Sequence, residues 1–188
     1  NRLTLASLYH TTGNEEFIES TIIDGDERGR VITINTVDRR TCTVNGFTIR
    51  NGSDDEGGGL CVDDGRRIQL TNLIVRNNRS ENSGGGIYLS SCHGAALRSL
   101  SVINNQSGND GGGIILENSN NVFIENTQIS GNVSGNNAAI RANNQSAAKP
   151  ISPAPLSACS PVQLRAEASK KPPINSIAKT NSITWPSN

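Results

Sequence analysis

The chain has 188 residues, 17 acidic and 17 basic side chains, and only 3% aromatic residues. This balance argues against a nucleic-acid-binding surface, which needs a clustered basic patch and, for single strands, aromatic stacking platforms. No apolar run approaches the roughly 18 residues of a membrane-spanning helix, so we expect no membrane span.

The composition changes abruptly near residue 145. All 19 glycines lie at or before Gly135, and all 7 prolines lie at or after Pro150. Residues 1–145 contain 12 Arg and no Lys and carry a net charge of −4, whereas residues 146–188 carry +4. We predict one repeat domain over 1–145, followed by a disordered Pro/Ser/Lys-rich tail or linker over 146–188. A junction in the coding sequence is an alternative origin for the tail. Because the chain opens without a charged and apolar leader, we expect either a mature fragment or an excised piece of a longer chain.

The repeat begins irregularly, with apolar segments at Val31–Ile34, Cys42–Val44 and Phe47–Ile49. A glycine triplet followed by Leu or Ile then recurs every 27 residues, at Gly57, Gly84 and Gly111. An asparagine preceded three residues earlier by Val or Ile keeps the same period, at Asn78, Asn105 and Asn132. A fixed period of this length is the signature of a stacked repeat protein.

Each repeat contains three short apolar segments, which in the third copy are Ile87–Leu89, Ala95–Leu97 and Leu100–Val102. The outer positions of each segment are mostly apolar and the middle one varies, and this alternation predicts β-strands. Because turn residues suited to tight hairpins are scarce, we expect each strand to pair in parallel with its copy one turn later. The fold class is therefore all-β, a parallel coil of about four turns in which the first, second and third apolar segments of the repeats form three separate sheets. Leu97 should lie inside, while Tyr88 and Arg98 should point outward.

This pattern resembles the right-handed parallel β-helix proteins of the pectin-lyase-like superfamily. It is most similar to secreted bacterial repeats of the polymorphic outer membrane protein type, whose motifs are Gly-Gly-small-aliphatic and Phe-x-x-Asn. Here Val or Ile replaces the Phe. Residues 3–8 and 21–25 are also similar to the first rungs of such proteins. The resemblance covers roughly residues 1–145 and implies a right-handed coil and a secreted or cell-surface location.

The same resemblance implies that the outward face of the first predicted sheet lines a substrate groove in many relatives. Two outward columns follow from the repeat: Cys61, Tyr88 and Ile115, and beside them Asp63, Ser90 and Glu117, with Arg141 and Asn143 extending them. We take as the candidate glycan-binding set Asp63, Tyr88, Ser90, Glu117 and Arg141. Asp63 and Glu117 should lie about 10 Å apart, near the upper end of the separation in inverting glycosidases. Two solvated carboxylates are the favoured interpretation, because the catalytic sets of pectate lyases and polygalacturonases are missing.

Asp54, Asp55 and Glu56, together with Asp63 and Asp64, are a weak candidate for a Ca²⁺ site because they offer oxygen ligands. Hydrated acidic turns are the favoured interpretation, so no cofactor is predicted. Cys42 should face inward, Cys61 outward and Cys92 a turn, with Cys159 in the tail, and no disulfide bridge is expected.

Asn-x-Ser occurs at Asn51, Asn78, Asn105, Asn132 and Asn144. These sequences are either a row of glycosylation acceptors or a structural asparagine ladder at a repeated turn. We favour the ladder.

Three functions fit the sequence. The first is a non-enzymatic, secreted or cell-surface β-helix that mediates adhesion or contacts an extracellular polysaccharide or surface glycan. The second is a fragment of a polysaccharide lyase or glycoside hydrolase, and the third is a structural spacer. The fold does not choose among them, because function lies in sites carried on folds.

Overall fold

The computed structural model describes residues 2–35, 41–136, 138–143 and 148–149. Residues 150–188, which make up most of the predicted tail, lie outside the described residues. Within the described part of the chain, no helix is long and apolar enough to cross a membrane.

Parallel strands wind into a solenoid of about four turns, as the repeat predicted. Sheet I contains five strands: β3 (Ile32–Asn35), β7 (Leu60–Asp63), β10 (Ile87–Ser90), β13 (Ile114–Glu117) and β17 (Ile140–Asn143). Sheet II contains nine: β1 (Arg2–Ala6), β2 (Ile22–Asp24), β4 (Thr41–Asn45), β5 (Thr48–Arg50), β8 (Gln69–Arg76), β11 (Ala96–Ile103), β14 (Val122–Glu125), β15 (Gln128–Ser130) and β18 (Ala148–Lys149). Sheet III contains four: β6 (Ser53–Glu56), β9 (Arg79–Ser83), β12 (Gln106–Ser107) and β16 (Val133–Ser134).

The predicted inward columns form one continuous core. Ile87 pairs in register with Leu60 and Ile114, and Leu97 pairs with Leu70 and Ile124. The core side chains of the central coils are almost completely buried, Leu97 among them at 0% exposure. Stacking of like residues at each rung therefore supplies the apolar burial that stabilises the solenoid.

The assignment of segments to sheets was wrong in one respect. The second and third apolar segments of a repeat are two halves of one strand, as in β8 and β11, which bend at Asn72 and Ser99 where φ is 52° and 53°. Both halves therefore belong to sheet II. A single residue in this left-handed conformation, which Asn adopts more readily than most residues, lets the strand change direction without ending.

Sheet III was not predicted, because its strands are polar. Its inward residues are small hydroxyl side chains, Ser80, Ser107 and Ser134, and all three are buried. These are the serines of the Asn-x-Ser sequences. The serines recur every 27 residues in the sequence, but these segments lack the alternation of apolar and polar residues that indicates a strand.

The asparagine ladder was predicted correctly for Asn78, Asn105 and Asn132. Asn78 Nδ2 donates to Asn105 Oδ1 at 3.0 Å, and Asn105 Nδ2 donates to Asn132 Oδ1 at 2.9 Å. Each amide also donates to a main-chain carbonyl on the preceding coil, as Asn105 Nδ2 does to Val75 O at 2.9 Å. Asn78 and Asn105 are each 1% exposed, so an oligosaccharyltransferase could not reach them in the folded chain.

Asn51 does not belong to this ladder. Ile49 pairs with Val75, so this coil is 26 residues long and Gly52 occupies the ladder position. The Gly52 amide donates to Asn78 Oδ1, and a Cβ on Gly52 would lie 1.9 Å from the Gly58 carbonyl oxygen. The side-chain amide of Asn51 instead donates to the carboxylate of Asp24, which lies on the preceding rung. Asn144 lies outside the described residues.

The amino-terminal rungs have the predicted strands and two helices that were not predicted. β1 pairs with β4 and β2 pairs with β5, which confirms the expectation for residues 3–8 and 21–25. Between β1 and β2 lie α1 (Tyr9–Thr12) and α2 (Glu16–Ser20). Each helix is about one turn long, too short to show a 3.6-residue apolar period. At the other end, β18 pairs with β14. This strand ends at Lys149, four residues beyond the predicted end of the repeat domain at residue 145.

Replacing Leu97 with Asp should unfold the domain. The side chain lies in the centre of the core, and an unpaired buried carboxylate is very costly. We expect a loss of about 4 kcal/mol or more in the free energy of unfolding, measured by urea denaturation. The control is Ser99→Asp, because Ser99 is exposed and its left-handed backbone accommodates Asp. A Leu97→Asp protein as stable as this control would show that the register is wrong.

Replacing Asn105 with Ala should weaken the domain by removing one step of the ladder. The change breaks the two bonds that Nδ2 donates and leaves the Asn78 main-chain N–H and Nδ2 without the acceptor Oδ1. Unsatisfied buried groups cost about 1–3 kcal/mol each, so a loss of about 3 kcal/mol is expected in urea unfolding. Asn109→Ala removes an exposed amide with a 3.4 Å bond to Asn82 and should cost about 0.5 kcal/mol. Equal losses in the two variants would contradict a stabilising role for the buried ladder.

Candidate functional site

The two predicted outward columns lie side by side on sheet I. Tyr88 pairs in register with Cys61 and Ile115, and Ser90 pairs with Asp63 and Glu117. Arg141 and Asn143 continue the columns from β17, as predicted. We call the first set the aromatic column and the second the polar column.

The aromatic column is not an exposed platform, contrary to the prediction for Tyr88 and Cys61. Cys61, Tyr88 and Ile115 are 8%, 5% and 2% exposed and form a second, small hydrophobic cluster. The glycine triplets explain the burial. A Cβ on Gly57 would lie 2.9 Å from Tyr88 Cβ, so the absence of a side chain lets the returning main chain lie against the ring. Gly57 has a φ of +63°, which only glycine adopts freely.

Tyr88 is hydrogen-bonded to one carboxylate at the edge of this cluster and lies within the field of a second, that of Glu56. Its hydroxyl group donates a hydrogen bond to Glu117 Oε2. Burial raises the pKa of Tyr88 well above its usual range, and the hydrogen bond to Glu117 and the charges of Glu56 and Glu117 raise it further. The phenol therefore stays protonated and donates, and it holds the Glu117 carboxylate over the aromatic column.

A third column lies on the other side of the aromatic column. It contains the residues that precede each glycine triplet, Glu56, Ser83 and Asp110, which pair in register at the end of sheet III. The aromatic column thus lies between an edge carrying Asp63 and Glu117 and an edge carrying Glu56 and Asp110. Sequence reasoning missed this third column, although the constant spacing from the triplets marks it.

Two arginines, Arg30 and Arg141, bind carboxylates at the two ends of this face. The Arg30 guanidinium donates to the Glu56 carbonyl oxygen from Nε at 2.9 Å and to Asp54 Oδ1 from Nη2 at 3.2 Å. Arg141 forms an ion pair with Asp110, which also accepts a bond from Asn136 Nδ2 at 3.0 Å. Arg141 is therefore in its predicted column but already bound to a carboxylate. Arg98, predicted to point outward, pairs with Glu125 on sheet II with its side chain 41% exposed.

Asp54, Asp55 and Glu56 follow one another along β6, and the register with β9 shifts between Asp54 and Glu56. Asp54 Oδ1 accepts from Arg30 and from the Asp55 main-chain N–H. Across the described ranges, no group of three or more His, Cys, Asp or Glu side chains is arranged to hold a metal ion.

Asp63 and Glu117 are separated by two rungs, about 10 Å. Ser90 occupies the rung between them. In glycosidases the two carboxyl groups flank the scissile bond from opposite sides. Here both carboxylates belong to one column, and Glu117 is held by Tyr88, so the pair does not form that arrangement.

Cys42, Cys61 and Cys92 are buried free thiols, and Cys42 lies in the core as the sequence predicted. Burial raises the pKa of Cys92 to about 11, so little of the reactive thiolate exists near neutral pH. Cys159 lies outside the described residues.

Replacing Tyr88 with Phe should reduce the loss of stability at alkaline pH. Tyrosine ionises near pH 10 in an unfolded chain, whereas Tyr88 stays protonated in the fold. The stabilisation from its raised pKa is complete below about pH 10 and is lost as the pH rises further. Between about pH 8 and pH 11, the wild-type protein should lose about 1.4 kcal/mol more than Tyr88→Phe in urea unfolding. Tyr9→Phe should retain the wild-type loss, and identical losses in wild type and Tyr88→Phe would rule out the effect.

A family model described as a right-handed beta helix region matches residues 11–149. No curated protein and no solved structure matches the chain. The match includes every strand from β2 to β18, and it covers well over half of the 188 residues. The chain belongs to the right-handed β-helix family.

Proposed function

We propose that this chain is a non-catalytic module of a secreted or cell-surface protein, and that it contacts glycans through the polar column of sheet I. The observation that carries the proposal is the in-register row Asp63, Ser90 and Glu117, which offers hydrogen-bonding oxygens on three consecutive rungs. Asp63 is exposed, and Ser90 and Glu117 are partly exposed.

The spacing of this row suits an extended polysaccharide. Neighbouring rungs lie about 4.8 Å apart, which is close to the length of one pyranose unit. A glycan lying parallel to the solenoid axis would present its hydroxyl groups to successive rungs. Carboxylates accept hydrogen bonds from these hydroxyls, and the Ser90 hydroxyl both donates and accepts.

Several features favour binding over catalysis. Glu117 is hydrogen-bonded to Tyr88, and Arg141 is paired with Asp110. Among the described residues, Asp63 forms no ion pair with a basic side chain that could share a proton with it. A catalytic base or nucleophile needs such a partner or a strongly perturbed environment. The likeness of the glycine and asparagine motifs to secreted repeats supports the extracellular location.

The test is binding to immobilised polysaccharides combined with a turnover assay. The chain should retain at least one neutral or charged glycan at micromolar concentration, and Asp63→Asn with Ser90→Ala should weaken retention about tenfold. Ser101→Ala on sheet II is the matched control and should bind as the wild type does. No new reducing or unsaturated ends should form.

Two outcomes would overturn the proposal. Turnover that disappears in Asp63→Asn or Glu117→Gln would identify a lyase or hydrolase. Absence of binding to every glycan class would favour a structural spacer.

A further inference from the structure

Exposed apolar side chains are concentrated at the amino-terminal end of the solenoid. Among the described residues, five large hydrophobic side chains are exposed, and four of them lie at this end: Leu3 (65%), Leu5 (42%), Leu8 (60%) and Ile22 (40%). Apolar groups gathered in one place mark interaction surfaces, whereas single exposed ones are ordinary. We infer that this end is an interface between two copies of the chain, related by a two-fold axis.

Leu3 and Leu5 are the end members of two core columns. Leu3 pairs in register with Cys42, and Leu5 pairs with Val44. Cys42 and Val44 belong to the core and are 4% and 1% exposed. The two leucines therefore point inward, as their partners do, and they are exposed because a rung packs against them from one side only. A further rung would extend the core over them.

The main chain at this end is also open to pairing. β1 is the edge strand of sheet II, and its described partner is β4 on one side. The Ser7 N–H donates to Asn45 O beyond the end of β4 at 3.1 Å. Because main-chain groups alternate between the two sides of a strand, those of Arg2, Thr4 and Ala6 face the open edge. Exposed edges are usually protected by charges, prolines or bulges, but β1 carries only Arg2 at its start.

A second copy of β1 fits this edge in antiparallel orientation, centred on Thr4. Thr4 then faces its own copy, Arg2 faces Ala6 of the second copy, and Leu3 faces Leu5 of the second copy. The Thr4 pair and both Arg2–Ala6 pairs each exchange two main-chain hydrogen bonds, because these are the residues whose groups face the edge. The leucine pairs lie on the inner face at the closer spacing of about 4.5 Å between Cα atoms. The two cores thus join.

This self-pairing brings no like charges together along β1. Arg2 meets an alanine of the second copy. Asp24 on the neighbouring strand β2 is paired with Arg50 at 2.7 Å, and Asp26 after it is paired with Arg28 at 3.0 Å. Like charges directly opposite each other would destabilise a strand pair, so their absence along β1 favours an identical partner.

The size of the end face predicts a reversible dimer. The first coil measures 26 residues, from Ile22 to its partner Thr48. At about 3.3 Å per residue its perimeter is about 86 Å, which encloses roughly 400–600 Å². Two such faces bury about 800–1,200 Å² in total, the range of weak and transient interfaces. We therefore expect an affinity in the micromolar range rather than an obligate dimer.

The experiment measures the mass of the whole chain by sedimentation equilibrium between about 1 and 300 μM. We expect a monomer at the low end of this range, a dimer at the high end and no larger species. Because association stabilises the folded state by mass action, the melting temperature should rise with protein concentration.

One variant removes the interface and a matched variant leaves it intact. Leu3→Glu places a carboxylate opposite Leu5 of the second copy and should raise the dissociation constant at least about 100-fold. At about 1 μM, where both proteins are monomers, its urea midpoint should stay close to that of wild type. Val133→Glu makes the same change at the fifth exposed hydrophobic residue, on β16, and should dimerise as wild type does.

A disulfide tests the geometry directly, in a Cys159→Ser background. Thr4 lies on the two-fold axis, so the two Cα atoms are about 5.5 Å apart, within the range of about 4.4–6.8 Å that a disulfide needs. Thr4→Cys should therefore form a covalent dimer under mild oxidation. Gln128→Cys, an exposed residue on β15 at the opposite edge of sheet II, should form little.

Four results would overturn the inference. The first is a monomer at every concentration without a Thr4→Cys dimer. The second is a dimer that Leu3→Glu leaves unchanged or that Gln128→Cys cross-links equally well. The third is a mass that keeps growing with concentration, which would indicate stacking of unlike ends. The last is a monomer in which Thr4→Cys resists alkylation, because another part of the same chain would then cover β1.

Discussion

Each coil of this protein must place the same kind of residue at the same point as the coil before it, one strand spacing away. Parallel pairing in register imposes this constraint, because the N–H groups of each strand donate to a neighbouring rung and the side chains of paired residues stack on one another. Inside, Leu, Ile and Val form apolar columns. At one corner the constraint is met by a polar group, since an amide carries both a donor and an acceptor and can bond to an identical amide on the next rung.

The outer face of sheet I depends on the same constraint. Because glycine repeats before every strand of β7, β10 and β13, the main chain turns closely enough to cover the side chain of Tyr88. The turn also brings the end of sheet III beside the aromatic column. Carboxylates from two sheets are thereby gathered on one narrow surface, although Glu56 and Glu117 are far apart in sequence.

The sequence predicted the parallel coil, the strand register and the ladder of Asn78 and Asn105, because each follows from periodicity alone. It did not predict sheet III, where Ser80 and Ser107 face inward without an apolar signal. It assigned Tyr88 to the surface because strand alternation predicts which face of the sheet a side chain points to. The alternation does not predict whether another part of the chain covers that face. The ion pair of Arg141 with Asp110 joins residues from different parts of the repeat, and periodicity does not reveal such pairs.

The step of 27 residues between ladder asparagines also bears on how such a chain can change in length during evolution. An in-frame duplication of one whole coil would insert a rung whose every column finds its counterpart on both sides. An insertion of any other size inside a strand would shift the columns above it out of alignment. One coil departs from this step: its residues pair with an offset of 26 as far as Asp54 and of 27 from Glu56 onward, because the register of sheet III shifts between these two residues. Genes for this architecture are therefore expected to grow and shrink in whole coils, with shorter length changes at turns and at register shifts such as this one.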